Sequence, residues 1–155
     1  MRLFHGTNVR FERIDLALSK PNKDFGPGFY LSDDREQAEA MAESKVLMSG
    51  GEPRVMEFEF DAEQATGLRM LRFDEYSREW AEFIVMNRDR NVRAKRHDYD
   101  IVHGPIANDR IGLQVQLFVQ DYIDIDTLLK RIKYVRPTFQ YYFGTDAAIQ
   151  LLKLV

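Results

Sequence analysis

Three short segments hold residues whose types and spacing could do chemistry, and the first begins at the fourth residue. Phe4-His5-Gly6-Thr7 places an imidazole at the end of an apolar run and directly before a glycine. Glycine lets a ligand approach the backbone closely. The imidazole, the open Gly6 amide and the Thr7 hydroxyl could together receive a flat carboxamide. The alternative interpretation is a histidine that belongs to the core or to a turn.

The second segment is a glycine-rich loop that leads into a short strand. Gly26-Pro27-Gly28 predicts a turn of fixed shape, which delivers Tyr30 at the start of the strand. A tyrosine there could stack on an aromatic ring and keep its hydroxyl in water. The alternative interpretation is a hairpin corner with a packing tyrosine.

The third segment is an aromatic strand near the end of the sequence. Side chains alternate between the two faces of a strand, so Phe139, Tyr141 and Phe143 share one face. Gln140 and Tyr142 share the other face. Gln140 is therefore predicted to lie opposite an aromatic core face, where it could line a cleft. The alternative interpretation is an ordinary exposed polar residue.

Hydrophobic periodicity predicts the elements that must position these segments. The predicted strands cover residues 2–5, 29–31, 54–60, 99–103, 112–118 and 139–143. The predicted helices cover residues 33–48, 74–87, 127–135 and 145–152. Asp33 and Glu36 form a capping box for the first helix, and Ser49-Gly50-Gly51 ends it. Strands and helices are intermixed without a repeat or a linker, so we expect one α+β domain over residues 1–155.

Composition limits the classes of function. The 155 residues include no cysteine, which excludes disulfides and thiolate metal sites. The three histidines, at positions 5, 97 and 103, lack ligand-like spacing, so no metal is expected. No apolar run of about 18 residues and no apolar leader is present, which favours a cytoplasmic protein without a membrane span.

The charge distribution bears on possible partners. The net charge of −3 argues against a free-standing nucleic-acid binder. Basic residues nevertheless cluster in residues 88–96, either as a solvated loop or as a small electropositive surface that faces a phosphate-bearing substrate. Arg78, Glu79 and Arg88 are interpreted as members of surface ion pairs, which contribute little to stability individually.

Taken together, the segments resemble the ADP-ribosyltransferase superfamily in its histidine–tyrosine–glutamate branch. The first motif of that branch, His-Gly-Ser/Thr, matches His5-Gly6-Thr7, and the second, Gly-x-Gly-Phe/Ile-Tyr, matches Gly26-Pro27-Gly28-Phe29-Tyr30. The whole chain resembles a small bacterial family, formerly of unknown function, whose members are encoded in toxin–antitoxin-like pairs with short partner proteins. Further matching positions are Trp80, Phe83, Asn87-Arg88, residues 99–109, Gln140 and residues 143–152.

The resemblance implies a split sheet, with two small antiparallel or mixed sheets around an NAD cleft and helices at the flanks. It implies that His5 holds a ribose hydroxyl of NAD, while the Gly6 backbone grips the nicotinamide carboxamide with support from Thr7. Tyr30 would stack on the nicotinamide ring. Phe25 and Gly28 of the glycine-rich loop, together with Gln140, complete the implied NAD-binding set.

The third catalytic position of the superfamily is a glutamate, and here the corresponding strand offers Gln140. A neutral amide can orient the ribose 2′-hydroxyl, but it supplies no full charge to an oxocarbenium-like transition state. Such a charge can be worth roughly 3–4 kcal/mol in a water-poor site. Asp109, which follows the Gly104-Pro105 turn, is the carboxylate expected to compensate. The expected catalytic set is therefore His5, Tyr30, Gln140 and Asp109.

The function implied by this resemblance is NAD-dependent mono-ADP-ribosylation by the toxin of a toxin–antitoxin pair. The partner would be a small antitoxin protein, and the acceptor would be a protein or a nucleic acid. Two alternatives remain open. One is a non-enzymatic module that binds NAD or ADP-ribose, and the other is an NAD glycohydrolase in which water replaces the acceptor.

Overall fold

A mixed β-sheet brings the three segments together at the centre of the fold. The computed structural model describes residues 1–107 and 109–155, and in these residues seven strands form one sheet. The strands are β1 (Arg2–Thr7), β2 (Phe29–Ser32), β3 (Arg54–Phe60), β4 (Met70–Arg72), β5 (Ile101–Pro105), β6 (Phe139–Phe143) and β7 (Leu152–Leu154). Their order is β4-β5-β6-β2-β1-β3-β7; β4 and β5 are parallel, and the other pairs are antiparallel.

Five helices accompany the sheet within the described ranges. They are α1 (Arg35–Ser49), α2 (Arg78–Arg88), α3 (Asp109–Val119), α4 (Ile125–Ile132) and α5 (Asp146–Ile149), and two short 3₁₀ helices cover Leu16–Leu18 and Ala62–Ala65. The α+β class predicted from the sequence is confirmed. Asp34, rather than Asp33, caps α1, because its carboxylate accepts a hydrogen bond from the Glu36 amide.

One predicted strand is wrong. Residues 112–118 belong to α3, in which Ile111 and Val115 are buried and Phe118 packs against the same core. These positions are four and three residues apart, which is the spacing of one helix face. The predicted last helix is also too long, because α5 ends at Ile149 and Leu152–Leu154 instead pairs with β3.

The sheet is narrow at its middle. Over the described residues, the register between β1 and β2 comprises the pair Phe4 and Ser32, whereas β2 pairs with β6 along its whole length. Beyond Phe4 the two strands are joined by the His5 side chain, whose Nδ1 lies 2.8 Å from the Tyr30 carbonyl oxygen. The expectation of two separate sheets is therefore corrected to one continuous sheet with a narrow β1–β2 junction.

Each face of the sheet buries its own core. One core contains Phe25, Trp80 and Tyr142, and it lies beneath α2, α3 and α4. The other contains Leu3, Tyr141 and Phe143. The alternation predicted for β6 is confirmed, although Tyr142 is as fully buried as Tyr141 and Phe143 on the opposite face.

Helix α2 is anchored at both its start and its inner face. The Ser77 hydroxyl caps it by accepting a hydrogen bond from the Trp80 amide. The indole Nε1–H of Trp80 donates to the Pro105 carbonyl oxygen over 3.1 Å, so that α2 is fixed to the end of β5. This anchoring holds the end of α2, with Val85, Met86 and Arg88, beside β2 and β6.

Candidate functional site

A cleft of about 1070 Å³ opens on the face of the sheet that carries Tyr30 and Gln140. These residues come from β2 and β6, and Met41 of α1 also lines the cleft. Val85 and Met86 of α2, Gln116 and Val119 of α3, and Ile106 and Ala107 after β5 supply further lining residues. The volume is at the upper end of the range for small-molecule and cofactor sites, roughly 300–1000 Å³.

The Tyr30 hydroxyl closes the turn that precedes its own strand. It accepts a hydrogen bond from the Phe25 amide over 3.0 Å and donates one to the Gly26 carbonyl oxygen over 2.6 Å. Burial raises the pKa of Tyr30 well above its ordinary value. The sequence interpretation left this hydroxyl in water, and that point is wrong. The phenol ring still lines the cleft.

Phe25 and Gly28, both expected to contact a cofactor, shape the turn. Phe25 is fully buried and packs near Phe83 with a centroid distance of 5.9 Å. A Cβ on Gly28 would lie 2.1 Å from the Tyr142 ring, so glycine is required for this approach. The described residues that line the cleft include neither of them.

Gln140 contacts a carboxylate that the sequence reasoning did not single out. Its Nε2 donates to Asp24 Oδ2 over 3.3 Å, and Arg88 Nε donates to Asp24 Oδ1 over 2.8 Å. The side chains of Asp24 and Arg88 are only 14% and 19% exposed, so the assignment of Arg88 to a surface ion pair is wrong. The signal in the sequence was the position of Asp24 directly before the glycine-rich turn.

Asp109, the expected compensating carboxylate, is the first residue of α3. Its side chain, like the whole of Asn108, lies outside the described residues. The carboxylate that the described structure places beside Gln140 is that of Asp24.

His5 lies on the other face of the sheet from Tyr30 and Gln140. Its ring stacks on Phe29 at a centroid distance of 4.4 Å, and adjacent residues of β2 point to opposite faces. Burial, followed by repulsion from Lys45, lowers the pKa of His5 to about 4. The imidazole is therefore neutral at pH 7. Because Nδ1 faces the Tyr30 carbonyl it carries the proton, which leaves Nε2 as an acceptor.

Gly6 and Thr7 are also engaged within the protein. A Cβ on Gly6 would lie 1.9 Å from the Ala38 carbonyl oxygen, so this glycine allows α1 to pack directly on β1. The Gly6 carbonyl oxygen accepts a hydrogen bond from Lys45 Nζ over 2.6 Å. The Thr7 hydroxyl donates to the Val9 carbonyl oxygen and accepts from the Val9 amide. Like His5, neither residue is among the described residues that line the cleft.

The basic segment of residues 88–96 folds over the rim of the cleft. Asn22 Nδ2 donates to the carbonyl oxygens of Asp89 and Val92, which ties this segment to the loop before β2. Arg96 pairs with Asp89 over 3.2 Å, and both Arg90 and Arg96 line the cleft. The segment is therefore part of the cleft wall.

The part of the chain that the structure describes contains no group of three or more histidine and carboxylate side chains that could hold a metal ion. None of its helices is long and apolar enough to cross a bilayer.

These features define an α+β protein with a ligand-sized cleft on one face of a mixed sheet. Residues 1–154 match the family described as "Protein of unknown function (DUF3990)". Since this match spans nearly the whole chain, the chain belongs to that family. Comparisons with curated proteins and with solved structures gave no significant match.

Proposed function

We propose that this protein binds NAD in the cleft and transfers ADP-ribose from it as a mono-ADP-ribosyltransferase. The main support is that Tyr30 and Gln140, which are far apart in sequence, lie on paired strands and face one cleft. Tyr30 matches the second motif of the superfamily, and Gln140 occupies the strand position where the superfamily has a glutamate. A volume of about 1070 Å³ accommodates a dinucleotide.

In this proposal Tyr30 stacks on the nicotinamide ring, and the Gln140 amide holds a ribose hydroxyl. The bond between ribose C1′ and nicotinamide nitrogen breaks, and nicotinamide leaves with the electron pair. An acceptor nucleophile then attacks C1′ and releases its proton to solvent. Asp24, 3.3 Å from Gln140, would supply the negative charge that a glutamate on β6 supplies elsewhere in the superfamily.

In this proposal the neutral His5 and the Gly6-Thr7 backbone contribute at the β1–β2 junction. His5 Nδ1 is bound to the Tyr30 carbonyl oxygen, so His5 supports the cleft by holding β2 against β1 from the opposite face of the sheet. The acceptor macromolecule is a protein or a nucleic acid, and Arg90 and Arg96 at the rim favour nucleic acid. The proposed setting is a bacterial cytoplasm, with a small antitoxin protein as partner.

The Asp24–Arg88 contact favours a second candidate, a module that binds NAD or ADP-ribose without turnover. Arg88 partly neutralises the carboxylate, and a neutralised carboxylate stabilises a developing positive charge less well. A third outcome, NAD glycohydrolysis, needs the same cleft and differs only in the use of water as nucleophile.

One experiment separates these candidates. The purified protein is incubated with NAD labelled in its adenylate part, with and without cell extract, and released nicotinamide is measured beside label incorporated into macromolecules. Transfer gives both signals, and glycohydrolysis gives nicotinamide with free ADP-ribose. Calorimetric NAD binding without either signal identifies a binding module. Absence of NAD binding contradicts the proposal in all three forms.

Two substitutions test the assignment of the cleft. We expect Tyr30→Ala to weaken NAD binding about tenfold or more by removing an aromatic stack, and Gln140→Ala to spare binding while lowering turnover about tenfold or more. Tyr134→Ala and Gln64→Ala are matched controls, because Tyr134 is 91% exposed and Gln64 is exposed in a 3₁₀ helix. Wild-type NAD affinity in Tyr30→Ala would show that the ligand lies elsewhere.

A further inference from the structure

Two lysine ammonium groups lie near the place where β1 and β2 separate, and a third lysine acts on both of them electrostatically. Lys45 reaches across from α1 and donates from Nζ to the Gly6 carbonyl oxygen over 2.6 Å. The Lys23 ammonium lies 5.1 Å from the centroid of the Tyr30 ring, on the β2 side of the junction. Lys20 lies close enough to repel both ammonium groups. Lys23 also lines the cleft, so this group of cations is continuous with the candidate site.

These cations are not balanced by carboxylates. In the described ranges none of the three lysines forms an ion pair. Asp24, which attracts Lys23, is already bound by Arg88 and Gln140. Burial, together with repulsion from Lys23 and Lys20, lowers the pKa of Lys45 to about 8. Holding like charges together costs free energy that a bound anion would recover.

The orientation of the cations narrows the class of anion. One ammonium is fixed at Gly6 on β1 and another lies over Tyr30 on β2, so the positive charge is distributed on both sides of the junction. A carboxylate carries one negative charge, whereas a diphosphate carries at least two on neighbouring groups. A diphosphate therefore matches the distribution of these two ammonium groups, and an ester of it can continue into the cleft past Lys23.

We propose that Lys20, Lys23 and Lys45 form a binding site for a diphosphate group at the β1–β2 junction. This inference deepens the proposed function, because NAD contains such a group, but its test does not depend on turnover. The ligand is either free diphosphate or a nucleoside diphosphate ester, and both share the chemistry that the lysines recognise.

Isothermal calorimetry at pH 7 tests the site with inorganic pyrophosphate, ADP-ribose and adenosine. We expect pyrophosphate and ADP-ribose to bind the wild-type protein with an affinity that falls as salt is raised. Adenosine, which lacks phosphate, should bind at least tenfold more weakly than ADP-ribose. The double variant Lys23→Met with Lys45→Met should bind both phosphate ligands at least tenfold more weakly, and Lys153→Met, an exposed lysine of β7, should match the wild type.

A folding check keeps the test decisive. Lys45→Met removes a hydrogen bond to Gly6, so each variant is first compared with the wild type by thermal unfolding. Lys23→Met alone leaves that bond in place and should still weaken pyrophosphate binding severalfold. Lys45→Arg, which keeps the charge, should retain most of the affinity.

The outcomes separate this inference from the proposed function. Pyrophosphate and ADP-ribose that fail to bind, or that bind the folded double variant as tightly as the wild type, would overturn the diphosphate site even if NAD is consumed. Lysine-dependent binding of pyrophosphate without NAD binding would support the site and reject the proposed function. Tighter binding of ADP-ribose than of pyrophosphate would identify a nucleoside diphosphate ester as the ligand, and the reverse order would identify free diphosphate.

Discussion

The His5-Gly6-Thr7 segment and the Tyr30–Gln140 wall are equally suggestive in the sequence, yet the structure uses them differently. In the first segment the Gly6 backbone, the Thr7 hydroxyl and one ring nitrogen of His5 are bound within the protein. In the second, the ring of Tyr30 and the amide of Gln140 line an open cleft. This difference shows that one motif of a site can consist of residues that support the surrounding structure, while another consists of residues that face the cleft.

The largest expected effect is on stability and concerns the His5-Gly6-Thr7 segment. Gly6→Ala should lower the free energy of unfolding by about 4 kcal/mol or more, because the new Cβ would lie 1.9 Å from the Ala38 carbonyl and would push α1 off β1. Gly50→Ala is the control: it meets open space but has a φ of +74°, so it should cost only about 1 kcal/mol. Denaturant unfolding measures both. Equal costs would show that Gly6 does not set the packing of α1.

The next effect is a dependence of stability on pH through His5. The folded pKa of about 4 lies below the unfolded value of 6.5, so acidification protonates the unfolded chain first. This contribution to stability is fully present above pH 6.5 and is lost as the pH falls through about 4, for a total of about 3 kcal/mol. Unfolding curves between pH 7 and pH 4 measure it. His5→Phe should flatten this part of the profile, and parallel profiles would contradict the buried neutral imidazole.

A smaller effect tests the cleft wall. Arg88→Met should cost about 2 kcal/mol, because it leaves the largely buried Asp24 carboxylate with Gln140 as its remaining partner. The matched change Arg78→Met breaks an ion pair with Asp126 whose members are 48% and 80% exposed, so it should cost less than about 1 kcal/mol. Chemical denaturation measures both values. Indistinguishable costs would mean that the cleft pair is as well hydrated as the surface pair.

Local pattern predicted most of the elements that frame the cleft. The alternation of residues 139–143 is found in β6, and the apolar spacing of residues 33–48 is found in α1 with shifted ends. The strand predicted at residues 112–118 was wrong because Ile111, Val115 and Phe118 have a helical period and lie in α3. Strand β7 was missed because Leu152–Leu154 is extended by pairing with β3, a tertiary interaction that local propensity does not record.

In the candidate site, too, some features were predicted from local pattern and others depend on tertiary packing. Gln140 was placed on a cleft-facing position because strand alternation alone decides which face it occupies. The contact between Asp24 and Arg88 joins residues 64 positions apart, and only the packing of α2 against the loop before β2 brings them together. The resemblance did not indicate that His5 lies on the face opposite Tyr30, because that placement depends on how β1 pairs with β2, which is a tertiary interaction.

The hydrogen bond between Trp80 and Pro105 has a practical consequence. The sequence contains one tryptophan, and its indole is fully buried. Its Nε1–H donates a hydrogen bond to the carbonyl oxygen of Pro105. Pro105 directly precedes Ile106 and Ala107, which line the cleft. Ultraviolet emission excited selectively from tryptophan, and not from the seven tyrosines, therefore comes from a fluorophore that is bonded to that wall. A change in its wavelength or intensity would report occupation of the cleft in real time, without a dye or an engineered probe.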